Sequence, residues 1–268
     1  MTALLLLIAV TQSRKTPMSS PGFFGRHEAV LWFIPNLIGY ARLALCLYAY
    51  AVAFTSPLTT LLCYYLSFCC DELDGRFARM FHQTSTFGAV LDMVTDRLAT
   101  TGLLIILAIQ HPVLYMPVIL LINLDIFSHW FQMYQSLLKQ EVSHKNANSR
   151  SPIVALYYSN RIFMGYCCVS VEVGYLAAYA LYFPAMRACG VMCQHASVLP
   201  FAPPAFLSPY LPAPFLDALF STDGMPYAAI LLIAAVPGFT IKQVCNWVQL
   251  REAVSSLVEY EVKKMKKA

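Results

Sequence analysis

Between Asp71 and Asp96 the chain reads DELDGRFARMFHQTSTFGAVLDMVTD, which gathers four aspartates, two arginines and two glycines between apolar runs. An aspartate at the centre of a bilayer costs roughly 2.5–3.5 kcal/mol, so four facing lipid would cost on the order of 10 kcal/mol. They must face a polar cavity or lie near the membrane surface. At about 100° per residue, Asp71 and Asp74 sit ~60° apart on a helix, with Ala78 between them in angle, and Asp92 and Asp96 sit ~40° apart on the next. The polar residues around HQTST (82–86) allow the second helix to return antiparallel, so that two acidic pairs face each other across a seam. Four carboxylates that close repel one another and take up protons unless a cation neutralises them. An all-oxygen ligand set suits Mg²⁺ or Mn²⁺.

Small residues accompany the acids. Gly75, Ala78, Gly88 and Ala89 remove side-chain bulk where a flat or phosphorylated group could approach the backbone, and Arg79 adds a fixed positive charge. Carboxylates, divalent metal, arginine and small residues together describe a pyrophosphate site. From residue types alone, a proton or cation pathway through the membrane stays open as the other reading.

The elements that must position this stretch are read from apolar periodicity and charge. The chain has 268 residues, of which 59% are hydrophobic and 12% charged, about half the charge of an ordinary soluble domain. Its mean hydropathy is +0.59. Long apolar runs in such a chain are membrane spans rather than one large core. The sequence predicts spans over about 31–54, 58–70, 87–109, 113–138, 161–183 and 225–248. The second is too short to cross alone and is expected to continue as helix through DELDGRFAR; His111-Pro112 breaks the third from the fourth. Basic residues alternate along the connections: Arg14, Lys15 and Arg26 before the first span, none after it, Arg76 and Arg79 after the second, and none after the third. Lys139, Lys145, Arg150 and Arg161 follow the fourth, Arg187 alone follows the fifth, and Arg251, Lys263, Lys264, Lys266 and Lys267 follow the sixth. The positive-inside tendency then predicts an all-α integral membrane protein with six transmembrane helices around a polar, metal-containing cavity at the cytoplasmic side, both termini cytoplasmic.

Around this six-helix domain (31–250) the sequence predicts a disordered or interfacial lead at 1–30, a proline-rich loop at 184–224 and a basic tail at 251–268. Lys264-x-Lys266-x-x fits a dilysine retrieval signal of the endoplasmic reticulum; a basic tail touching anionic lipid is the other reading. Of nine cysteines, Cys46, Cys63, Cys69, Cys70, Cys167, Cys168 and Cys245 lie in or beside apolar runs as small hydrophobes. Cys189 and Cys193 could pair if their loop faces an oxidising lumen. No cysteine or histidine grouping has zinc spacing, and nothing points to nucleic acid. Asp125 and Glu172, acids inside apolar runs, are expected to find partners across helices.

The pattern Asp71-x2-Asp74-Gly75-x2-Ala78-Arg79-x8-Gly88-x3-Asp92-x3-Asp96 resembles, at all eight fixed positions, the signature of the CDP-alcohol phosphotransferases. PNLIGYAR (35–42), QTSTFGAVLDMVTDR (83–97), SHW (128–130), SHK (143–145) and YYSNR (157–161) further resemble the eukaryotic phosphatidylinositol synthase branch of that family; the N-terminal lead and the proline-rich loop depart from it. The resemblance implies two divalent ions held by Asp71, Asp74, Asp92 and Asp96, with Asp96 also the general base. It implies a CDP-diacylglycerol headgroup along Gly75, Ala78, Arg79 and Ser85, bordered by Asn36 and Arg42. It implies transfer to myo-inositol in the membrane of the endoplasmic reticulum or Golgi, by a homodimer. His129, Lys145 and Arg161 are candidates for the inositol pocket, although a packing role for the histidine and a topological role for the two cations read equally well. The same chemistry on glycerol 3-phosphate is the nearest alternative. An intramembrane prenyltransferase and a cation transporter are more distant ones.

Overall fold

The computed structural model describes residues 30–142, 156–157, 159–191, 209–220 and 225–266. The N-terminal lead, Lys145, Cys193 and most of the proline-rich loop lie outside the described residues, and with them the proposed pairing of Cys189 with Cys193.

Among the described residues the chain is helical apart from one minimal strand pair and the turns between elements. Helix α1 spans Ile34–Ala51 and opens with Pro35, whose missing N–H falls where a helix has no acceptor for it. Helix α2 spans Pro57–Met80, again with a leading proline, and runs unbroken through Asp71 and Asp74, as the sequence predicts. Its end is built to reverse the chain. His82 adopts a left-handed backbone with φ of 54°, its N–H donates to the Arg79 carbonyl, and the Gln83 N–H donates to the Ala78 carbonyl at 2.9 Å. This is the Schellman arrangement that satisfies the last carbonyls of a helix. The Gln83 side chain then accepts from the Ile34 N–H at 2.9 Å, tying the turn to the start of α1.

Helix α3, Thr86–Gln110, begins at once, capped by Ser85, whose Oγ accepts from the Gly88 N–H at 2.9 Å. A 3₁₀ turn at Pro112–Leu114 separates it from α4, Tyr115–Val142. Helix α5, Arg161–Leu181, is capped by the Asn160 side chain, which accepts from the Ile162 and Phe163 N–H groups. A one-turn helix at Pro184–Arg187, strand β1 at Gly190–Val191, helix α6 at Ala213–Phe220 and strand β2 at Met225–Pro226 follow. The strands pair antiparallel. Helix α7 spans Tyr227–Met265. The sequence divides that region into a span and a tail; the structure joins them in one rod that passes through Pro237. At 1.5 Å per residue its 39 residues extend about 58 Å, well beyond a hydrocarbon core of about 30 Å.

Helix α1 packs against α2 and α3, while α7 packs against α5 and α4; α3 touches α4 and α5 and joins the two groups. The core they enclose includes Leu103, Leu104, Tyr179 and Leu181, all fully buried. The Tyr179 hydroxyl donates to the Ala53 carbonyl at 2.6 Å, bolting α5 to the end of α1. Small residues set the closest approaches. The Tyr50 ring lies on the backbone at Gly102, Ser170 lies on that at Gly238, and a Cβ on Gly39 would stand 3.1 Å from Leu91.

Among the described residues, three stretches of helix are long and apolar enough to cross a membrane, Pro112–Leu138, Arg161–Leu181 and Tyr227–Met265. Helix α2 carries its charges within the same rod as its apolar turns. Its exposed large apolar residues are Leu58, Leu62, Tyr65 and Leu66 in the first half, and Leu73 and Met80 in the second.

Gly238→Ala forces Ser170 out of place and is expected to cost about 1–3 kcal/mol, the usual penalty of overpacking. Gly165→Ala, in the facing helix α5 with nothing within 4 Å, is expected to be neutral or mildly stabilising. Thermal unfolding of the detergent-solubilised variants, side by side, measures both.

Candidate active site

Helices α2 and α3 bring their acidic pairs together, as the spacing requires. One oxygen each from Asp71, Asp74 and Asp92 lies within 4.8 Å of the others. Between them sits a residue from a third helix. The Arg42 side chain, 5% exposed, reaches from α1 with Nη1 2.7 Å from Asp71, 2.9 Å from Asp92 and 3.7 Å from Asp74. Its Nη2 donates to Asp96. The Ser67 hydroxyl of α2 donates to the Arg42 carbonyl at 3.0 Å and fixes that turn of α1 against α2. The resemblance put Arg42 beside the phosphates; the structure puts it at the centre of the carboxylates. One guanidinium cannot balance four carboxylates, and three of them, Asp71, Asp74 and Asp92, offer oxygens within 4.8 Å of one another. That donor set fits a hard divalent cation.

The surrounding positions explain the small residues. A Cβ on Gly88 would stand 2.8 Å from Asn36 Oδ1 and 3.1 Å from Ser85 Oγ. Gly88 is therefore what lets α3 lie against the start of α1. Asn36 is buried and its amide donates to the Val30 carbonyl at 2.6 Å. Ser85 spends one acceptor on the helix cap. A Cβ on Gly75 would stand 3.6 Å from the Arg79 guanidinium, so the arginine folds back along the glycine face of α2. On the outer side of the same helix, Arg76 donates to Glu72 at 2.8 Å and holds that carboxyl below its ordinary range. Arg161 is exposed, 3.8 Å from the same Glu72, and is not among the residues that line the central cavity.

That cavity, about 350 Å³, is lined by Arg42, Asp71, Asp92 and Asp96 and continues between α3, α4, α5 and α7. Its walls hold polar residues that sequence reasoning gave no site role. Arg97 donates to Asp125 of α4 at 2.9 Å, and its other terminal nitrogen lies 3.6 Å from Asp96. Asp96 is thus oriented from two sides, by Arg42 and by Arg97. Glu172 of α5 accepts from the Tyr64 hydroxyl at 2.7 Å and from Thr100 at 3.1 Å, which are the cross-helix partners its position calls for. His129 also lines the cavity, with Nδ1 2.8 Å from the Asp125 carbonyl; donating there leaves Nε2 as an acceptor. Lys242 and Asn246 come from α7. The signal that could have found them is the one that found the aspartates: a charged or amide side chain inside an apolar run needs a polar partner.

Arg42→Gln leaves four carboxylates facing each other and is expected to destabilise the protein by roughly 3–5 kcal/mol, the cost of breaking a buried ion pair. Added Mg²⁺ or Mn²⁺ should restore more stability to this variant than to the parent. Melting temperatures taken with a chelator and with each metal test both statements.

Residues 32–199 match the family described as CDP-alcohol phosphatidyltransferase. The chain is similar to a probable CDP-diacylglycerol–inositol 3-phosphatidyltransferase 2 of Arabidopsis thaliana, 39% identical over 89% of this chain and 95% of the relative. It is similar to the CDP-diacylglycerol–inositol 3-phosphatidyltransferase of Saccharomyces cerevisiae, 31% identical over 88% and 90%. It is also similar to the protein of that name in Homo sapiens, 36% identical over 58% and 74%. No solved structure matches the chain. The aspartate constellation and these matches agree, and the chain belongs to the CDP-alcohol phosphatidyltransferase family.

Proposed function

We propose that this protein transfers the phosphatidyl group of CDP-diacylglycerol to a hydroxyl of myo-inositol and releases CMP. The observation that carries the reading is the meeting of the four signature aspartates around Arg42. The chain that holds them is similar along most of its length to proteins named for that transfer.

Asp71, Asp74, Asp92 and Asp96 would hold divalent magnesium or manganese, two ions by the family resemblance. Bound there, the metal neutralises pyrophosphate charge and the charge left on CMP. The protein's own groups do the rest. Gly75, Ala78 and Arg79 give the headgroup a flat, cationic run of helix, with Ser85 and Asn36 at the junction of α1 and α3. Asp96, held by Arg42 and Arg97, takes the proton of the attacking hydroxyl. The oxygen so freed forms the new bond to the lipid-side phosphorus. The bond from that phosphorus to the bridging oxygen breaks, and CMP leaves with the bridging oxygen. Of the three candidates for the alcohol, His129 lines the cavity.

We place the six-helix domain in an endoplasmic reticulum membrane with the aspartates at its cytoplasmic edge, which is supported by the alternation of basic residues along the connections. The 18 residues of α1 reach about 27 Å, close to the hydrocarbon thickness of about 30 Å. Acyl chains of substrate and product then stay in the bilayer throughout. The family resemblance extends the reading to a homodimer.

The purified protein, given CDP-diacylglycerol and Mg²⁺ or Mn²⁺, is expected to release CMP when myo-inositol is added and not when glycerol 3-phosphate is added; the reverse pattern overturns the assignment. Asp96→Asn should lower kcat by about 10²–10⁴ while nucleotide binding, followed by calorimetry, persists. Asp74→Asn should raise the metal concentration needed for half-maximal rate as well as lowering the rate.

A further inference from the structure

The cavity continues well beyond the aspartates, and its continuation is built differently. Lys242 and Asn246 of α7, Glu172 and Tyr175 of α5, Asp125 of α4 and Arg97 of α3 line it. Buried polar groups normally find partners, yet several here have none. Among the described residues Arg97 Nε, Asp125 Oδ2 and Asn246 Oδ1 are buried without a hydrogen-bond partner. Asn246 as a whole is only 2% exposed. Arg97, Asp125 and Asn246 thus line one polar cavity with hydrogen-bonding capacity unspent, a lining suited to a ligand rich in hydroxyls, since each hydroxyl donates once and accepts twice.

The charges of this wall are balanced. Arg97 is paired with Asp125. Lys242, which donates to the Tyr157 hydroxyl at 3.1 Å and lies 5.2 Å from its ring centroid, adds one positive charge to a wall to which Glu172 adds one carboxylate. There is no surplus positive charge for an anion to meet. Tyr175 and Val171 add apolar surface for the C–H face of a ring.

We propose that the part of the cavity walled by Lys242, Asn246, Glu172 and the Arg97–Asp125 pair is the pocket of the acceptor alcohol, shaped for an uncharged cyclic polyol and closed by its charge balance to alcohols that carry a phosphate. This rests on the phosphatidyl transfer proposed above. It moves the recognition of the acceptor from Arg161, at the exposed rim, to side chains of α7 and α5.

The test uses the full chain in lipid nanodiscs, with the KM for myo-inositol and for CDP-diacylglycerol measured separately. Asn246→Leu and Lys242→Met are expected to raise the inositol KM by roughly ten- to hundredfold and to leave the KM for CDP-diacylglycerol unmoved. Lys242→Arg should recover most of the loss. Glu172→Gln, which removes one negative charge and keeps a hydrogen-bonding side chain for Tyr64 and Thr100, should make inositol phosphate a competitive inhibitor where the parent is indifferent to it. Thermal stabilisation by CMP with Mn²⁺ reports folding of each variant, and if the α7 variants do not fold, Glu172→Gln decides. An inositol KM unchanged in folded α7 variants, or no new inhibition in Glu172→Gln, overturns the pocket while leaving the transfer reading intact. A parent protein that releases CMP to glycerol 3-phosphate and not to inositol overturns the transfer reading, and the pocket with it.

Discussion

A single buried guanidinium holds the centre of this molecule. Arg42 touches carboxylates from two helices and belongs to a third, so the mutual placement of α1, α2 and α3 depends on it. Desolvating an arginine is costly unless its attraction to well-placed acids repays it, and here four acids surround it. The local structure is arranged to make that geometry possible. The Schellman turn ends α2 just past the acidic pair, Gln83 ties the turn to the start of α1, and Ser85 starts α3 immediately. The interval between the two pairs is therefore short and fixed.

Glycine and serine do for packing what arginine does for charge. At Gly102 and Gly238 a neighbouring side chain occupies the space a Cβ would fill. Without a strong hydrophobic force between helices in lipid, such close contact is what holds them together. The two tight pairs, α1 with α3 and α5 with α7, leave between them a region where polar side chains from four helices converge. The cavity is the space those pairs do not close.

How much of this was legible in the sequence follows from the distance between partners along the chain. The acidic pairs lie within one 26-residue stretch, so helical periodicity and one turn are enough to bring them together. The helix ends at Met80 and Gln110 follow from local signals, the loss of apolar pattern and the His111-Pro112 break. Arg42 was visible as a charge in an apolar run, but its partners were not, because nothing local says which face of α1 meets α2. Glu172 could be expected to find a partner, yet Tyr64 and Thr100 lie 108 and 72 residues away. Lys242 and Asn246 sit in a run whose periodicity is dominated by apolar residues, and only tertiary packing puts them on the cavity wall. Six spans follow from hydropathy only if charged helices are counted; by length and apolar content alone the described residues give three.

The two parts of the cavity differ in charge, and that difference bears on what each can bind. Around Arg42, four carboxylates face one guanidinium, and Arg97, already paired with Asp125, reaches only Asp96, so acidic groups outnumber the arginines that meet them. A pyrophosphate brought there alone would be repelled. On the proposed reaction, divalent cations held by these carboxylates would be a condition of donor binding as well as of rate. The wall built by Arg97, Asp125, Glu172 and Lys242 carries no such excess, and a neutral polyol needs no metal to enter it. On that reading, metal dependence would belong to the nucleotide half of the reaction. Asp96 stands at the boundary, held by Arg42 on the charged side and by Arg97 on the balanced side, where the proposed reaction would bring together the proton of the acceptor and the phosphatidyl group of the donor.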